Sequence, residues 1–123
     1  MPEDPGRPKR VAFFSTTTPG DTARIDTMLG YALAAAAMGY ETKIFFALDS
    51  ALVTKNQVYQ KLEEKLRNRL AECPKSGVAL EVCSASAQTF NIKKEDLIPG
   101  VQIKGVAQFF DYAETADISL SWS

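Results

Sequence analysis

Six residues, Arg10 to Ser15 (RVAFFS), form a short and almost unbroken apolar run. That pattern predicts a strand buried on both faces. A polar, Pro- and Gly-punctuated turn follows at Thr16 to Asp21 (TTTPGD). From about Thr22 to Met38 the apolar positions Ile25, Met28, Leu29, Ala32, Leu33 and Ala36 recur at spacings of three and four, which predicts a helix, and Gly39 stands where its C-cap belongs. Glu41 to Ala47 (ETKIFFA) reads as a second strand and Leu48 to Lys55 as a connecting loop. The stripe Val58, Leu62, Leu66, Leu70 and Cys73, with charges on the opposite side, predicts one helix from about Asn56 to Glu72, ended by Pro74 and Gly77.

Val78 to Cys83 (VALEVC) is a third strand, followed by a short helix over Ala85 to Phe90 and a polar turn or helix at Lys93 to Leu97. Val101 to Ile103 is a brief strand, Gly105 to Thr115 a helix with Val106, Phe109, Phe110 and Ala113 on one side, and Ile118 to Trp122 (ISLSW) a closing strand. Strands separated by helices predict parallel βαβ units in a three-layer α/β/α sandwich, with a mainly parallel five-stranded sheet. Residues 1–8 read as a flexible, Pro-rich, charged tail and residues 9–123 as a single domain.

Composition narrows the function classes. The net charge is −1 with the basic residues scattered, so no nucleic-acid partner is expected. Lys93, Lys94 and the basic residues of the tail read as ordinary solvated charge. No stretch approaches the roughly 20 apolar residues of a membrane span, and Met1 to Pro8 has no secretory character, so the expected location is cytoplasmic with no membrane contact. In that reducing compartment Cys73 and Cys83 are expected as thiols. The chain contains no histidine, which removes Ser-His-Asp and Cys-His catalysis within one chain. No metal site and no cofactor are expected.

Cys83 is the strongest candidate for chemistry. It ends a central strand, the edge at which ligands collect in open α/β sheets, and directly precedes a short helix. The first N–H groups of a helix lack internal partners and favour an anion. Ser84, Ala85 and Ser86 would supply such groups, and their small size would leave the sulfur accessible. The competing reading is a buried small residue at a strand end. Cys73, in register with Leu66 and Leu70, reads first as a core residue and second as a resolving thiol for Cys83. The hydroxyl-rich Thr16–Asp21 loop admits a flavin or nucleotide phosphate, although Pro19 removes one donor; Asp21 or Thr22 as a helix cap explains it as well. Phe109, Phe110, Tyr112 and Trp122 belong to the core or to a subunit interface.

Three segments together resemble the DsrE/DsrF-like sulfur-relay family, which includes the TusD proteins. They are the first strand, Thr-rich loop and Ala-rich helix; the strand–Cys–small-residue segment VALEVCSASAQTFNI; and the ending DLIPGVQIKGVAQFFDYAETADISLSW. The resemblance implies a parallel α/β sheet, homotrimers or hexamers, and a sulfur carrier or sulfurtransferase. It holds a persulfide or thiosulfonate on the cysteine that corresponds to Cys83 and exchanges it with a TusA-like carrier or a rhodanese. It further implies a place in dissimilatory sulfur oxidation or in tRNA thiolation. Ser84 stands where a vicinal thiol would allow intramolecular resolution, so the expectation is a carrier with low turnover. A non-catalytic oligomeric interaction module is the alternative from a different class.

Overall fold

The computed structural model describes residues 8–123; all of the tail expected over residues 1–8 except Pro8 lies outside them. In chain order the elements are β1 (Arg10–Ser15), α1 (Thr22–Ala37), β2 (Glu41–Phe46), a 3-10 segment (Leu48–Thr54), α2 (Asn56–Tyr59), α3 (Glu64–Lys75), β3 (Val78–Cys83), α4 (Ser84–Thr89), a 3-10 turn (Lys94–Asp96), β4 (Val101–Lys104), α5 (Val106–Glu114) and β5 (Ile118–Trp122). The sheet has the order β4-β3-β2-β1-β5, and each of its four pairings is parallel.

Helices pack on both faces. One face carries Val11, Phe13, Ile44, Phe46, Val78 and Leu80 against Ile25, Met28, Leu29 and Ala32 of α1 and Leu66, Leu70 and Cys73 of α3. The other carries Ala12, Phe45, Ala47 and Cys83 against Phe109 and Tyr112 of α5. The alternation of side chains along each strand separates these two sets. Phe109 stacks on Phe45 with ring centroids 4.8 Å apart and meets Phe14 at 5.6 Å.

Local chemistry sets the boundaries. The Asp21 side chain accepts the Arg24 N–H at 3.2 Å and starts α1. Gly39, at φ 91°, closes it, as only a residue tolerant of the left-handed region does cheaply. The long helix expected over Asn56 to Glu72 is instead two helices separated by a turn. Steps of four residues overshoot a helical turn, so a straight helix would carry Val58 about 120° round from Leu70. The break keeps Leu62 packed against the core, and the Tyr59 hydroxyl donates to the Arg67 carbonyl at 3.3 Å across it. The expected loop at Leu48–Lys55 is wound into a 3-10 segment with Ala51 and Val53 buried.

Candidate functional site

Cys83 ends β3, between β4 and β2 and at the carboxyl edge of the sheet. It belongs to the buried cluster that also contains Ala12, Phe45, Ala47, Phe109 and Tyr112. The residue keeps 8% of its surface exposed, so the open access expected from the small following residues is reduced to a narrow one. The chain then turns directly into α4, one residue earlier than expected, with Cys83 at the N-cap and its thiol making no capping hydrogen bond.

The three residues expected to surround an anion differ from one another. Ser84 and Ala85 are exposed at the first turn of α4. Ser86 is buried, and its hydroxyl accepts the Leu48 N–H at 2.8 Å. It therefore ties the 3-10 segment to α4, and its backbone N–H is what it has left for a sulfur anion. Leu48 itself sits at φ 52° and is 63% exposed.

Cys73 and Cys83 are not brought together. Cys73 lies in the α1–α3 core, fully buried, while Cys83 belongs to the cluster under α5 on the opposite face. The five steps from Val78 to Cys83 add about 16 Å of strand, well beyond the roughly 7 Å that a disulfide spans. Burial, with a smaller contribution from the Glu72 charge, pushes the Cys73 thiol up from 9.0 to about 12, against a lowering by Arg69. The expected role as a resolving thiol has no geometric support; a core residue fits the position.

The Thr16–Asp21 loop also lies at the carboxyl edge, after β1. Asp21 occupies the start of α1 with its carboxylate and pairs with Arg24 at 2.9 Å, which places a negative charge where a phosphate would sit. The cap explains this loop and the phosphate reading gains nothing. Phe109 and Tyr112 are buried; Phe110 points outward and is 60% exposed; Trp122 packs at the core's edge and donates from Nε1 to the Arg24 carbonyl at 2.8 Å. Lys93 and Lys94 are exposed. Among the described residues no group of three or more His, Cys, Asp or Glu is placed to hold a metal, and no helix is long and apolar enough to cross a membrane.

Two features near Cys83 escaped the sequence reading. Lys104 is paired with Cys83 in the β3–β4 register. Lys43 and Glu81, both within otherwise apolar strands, form a 3.0 Å ion pair on the same face, with the Lys43 ammonium 4.1 Å above the Tyr112 ring. The second was visible as charge interrupting ETKIFFA and VALEVC. The first was not, because it depends on which strand lies next to β3 and on β4 running one residue past Ile103.

The sequence profile of the DsrE/DsrF-like family matches residues 9–122. None of the curated proteins matches the chain. Among solved structures, the YchN protein of E. coli superposes with a TM-score of 0.82 at 18% identity, over 93% of this chain and 99% of that one. MTH1491 of Methanobacterium thermoautotrophicum, a protein of unknown function, gives 0.71 at 17% identity over 92% and 98%. BT1422 of Bacteroides thetaiotaomicron, likewise of unknown function, gives 0.69 at 19% identity over 92% and 94%. These likenesses establish the fold.

Proposed function

Because the chain belongs to the DsrE/DsrF-like family, whose fold is of the sulfur-relay type, we propose that it is a cytoplasmic sulfur carrier that holds sulfane sulfur on Cys83. The observation that supports this is the placement of Cys83. It is a nucleophile with residual solvent access, at the carboxyl edge of the sheet, directly before helix-start amides that carry no side-chain cap. In an open α/β sheet that edge is where ligands meet the strands.

The step needs no general base once the thiol is ionised, which suits a chain without histidine. The Cys83 thiolate gives its electron pair to the outer sulfur of a donor R–S–SH. The donor's S–S bond breaks and its pair leaves with R–S⁻, so Cys83 now bears –S–SH. With tetrathionate, attack on an inner sulfur expels thiosulfate and leaves Cys83–S–S–SO₃⁻. A partner thiolate removes the sulfur by the same exchange in reverse. The donor and acceptor proteins are proposed to be a TusA-like carrier or a rhodanese, within sulfur oxidation. With Ser84 beside it, Cys83 holds its cargo until such a partner arrives.

The reading includes assembly into a homotrimer, or a hexamer built from it. Two outward apolar patches support it: Tyr31, Met38, Ile118 and Leu120 along α1 and the β5 edge, and Val106 with Phe110 along α5. Burying such patches is the ordinary reason for a small domain to self-associate.

The decisive experiment is peptide mass spectrometry after incubation with polysulfide or tetrathionate, followed by reduction. The wild-type chain should gain whole sulfur atoms, or the thiosulfonate group, on the Cys83 peptide and lose them to a thiol. Cys83→Ser should gain none. Unmodified Cys83 in the folded wild-type protein would reject the reading.

A further inference from the structure

The β3–β4 register sets Cys83 opposite Lys104 and, one step back on the same face, Glu81 opposite Gln102. Paired residues of neighbouring strands point to the same side of a sheet, with strands about 4.8 Å apart. Lys104 therefore rises from the sheet beside the thiol, on the side away from Phe45 and Ala47. Its charge is not cancelled there. Glu81, the acidic group in the adjacent row, is already paired with Lys43 at 3.0 Å. Among the described residues Lys104 enters no ion pair. It is half-buried, and the next residue, Gly105, starts α5 within reach of the other junction: a Cβ on Gly105 would lie 3.9 Å from the Ser84 hydroxyl. The ends of β3 and β4 thus meet at one spot, where Lys104 stands beside Cys83 in the sheet and the first turn of α4 begins.

We propose that Lys104 is a specificity-determining residue that selects donors carrying negative charge next to the sulfur to be transferred, such as a persulfide anion or a thiosulfonate, over neutral thiol reagents of the same size. The proposal rests on the reading of Cys83 as the reacting sulfur. In the transfer step Lys104 remains an ammonium and exchanges no proton. It attracts the incoming anion and, once the new S–S bond has formed, faces the charge that remains on the bound group. An edge lysine also discourages unwanted strand pairing, but that role is indifferent to the charge of a small reagent, so reagent charge separates the two.

Iodoacetate and iodoacetamide make the comparison, because they differ in charge and hardly in shape. Their rates at Cys83, followed on the Cys83 peptide, share the same thiolate fraction, which cancels in their ratio. Lys104→Met should lower the iodoacetate-to-iodoacetamide ratio about threefold to tenfold at low ionic strength, an effect that salt erodes. Lys104→Arg should keep most of the wild-type ratio. Lys9→Met, which changes net charge equally at the opposite, amino end of β1, should leave it in place. Loading by tetrathionate should fall in Lys104→Met in step with the iodoacetate rate. An unchanged ratio in Lys104→Met and in Lys104→Gln overturns the assignment, and so does an equal fall in Lys9→Met. Failure of wild-type Cys83 to take up sulfur is a separate result: it removes the carrier reading, while the ratio still reports what Lys104 does to an approaching anion.

Discussion

On one face of the sheet α1 and α3 lie side by side over Phe13, Ile44, Phe46 and Leu80, and the cysteine on that side, Cys73, is sealed among leucines and methionine. On the other face α5 alone covers the strands, and the cysteine there, Cys83, shares its surroundings with a buried ion pair, an outward lysine and a narrow path to solvent. The same residue type has thereby become two different objects. Dense apolar cover raises the energy of the thiolate and keeps reagents out. Partial cover at the carboxyl edge leaves an opening and supplies polar partners. Position in the layers, more than cysteine content, decides which of the two is available for chemistry.

The comparison is broken most forcefully at the Lys43–Glu81 ion pair of the thinly covered face. Glu81 and Lys43 are mostly buried, at 7% and 18% side-chain exposure, and one oxygen of Glu81 has no partner. Lys43→Met leaves that carboxylate buried and unpaired, and should cost about 3 kcal/mol in chemical denaturation. The double variant Lys43→Met with Glu81→Leu should recover most of it, because the desolvated charge is then gone. A single variant as stable as wild type would mean that this face is wetter than its geometry indicates.

The second prediction moves to the densely covered face and is read by pH. The Cys73 thiol is raised from 9.0 to about 12, chiefly by burial. A group that holds its proton more tightly when folded contributes stability fully present below its unfolded pKa and lost as pH rises through the folded value. Stability should therefore fall between roughly pH 9 and 12, by up to about 1.4 kcal/mol per pH unit from this one proton. Burial also raises the Tyr112 hydroxyl, whose contribution falls in the same direction but begins near its ordinary value of 10.0. Cys73→Ala should flatten the first part of the decline, measured as denaturation midpoint against pH. An equal slope in wild type and variant would show that Cys73 is not as isolated as its packing implies.

Much of this arrangement was legible in the sequence. The strands Arg10–Ser15, Val78–Cys83 and Ile118–Trp122 stand where the apolar runs put them, and the alternation with helices is that of a parallel sheet. Periodicity reports local geometry well, because a strand or a helix is defined by which neighbours in the chain share a face. It failed where tertiary contact overrides local pattern: the stripe from Val58 to Cys73 reads as one helix, yet keeping Leu62 on the core requires a turn between two. It is silent on strand order. Nothing in VALEVC and VQIK says that they pair, so the Cys83–Lys104 neighbourhood could not be read, whereas the charges within two apolar strands could have been. The position of Cys83 was legible, but not the depth of its burial, since the cluster it joins is drawn from β1, β2 and α5, remote in the chain.

The smallest expected effect on the folded chain comes from a pair of adjacent phenylalanines on α5. Phe109 stacks inward on Phe45, while Phe110, one residue and about 100° further round the helix, is 60% exposed. Removing an exposed side chain takes little apolar surface out of contact, so Phe110→Ser should change the unfolding free energy by no more than about 0.5 kcal/mol under conditions that keep the chain monomeric. Its consequence lies between chains. Together with Val106, one turn earlier, Phe110 forms an exposed apolar strip on α5, and if that strip is where copies meet, the serine variant should shift the mass measured by light scattering toward the monomer. An unchanged mass with unchanged stability would leave the α1–β5 patch, with Tyr31, Met38, Ile118 and Leu120, as the apolar surface for the proposed contact between copies, and the Cys83 face open to a partner of another kind.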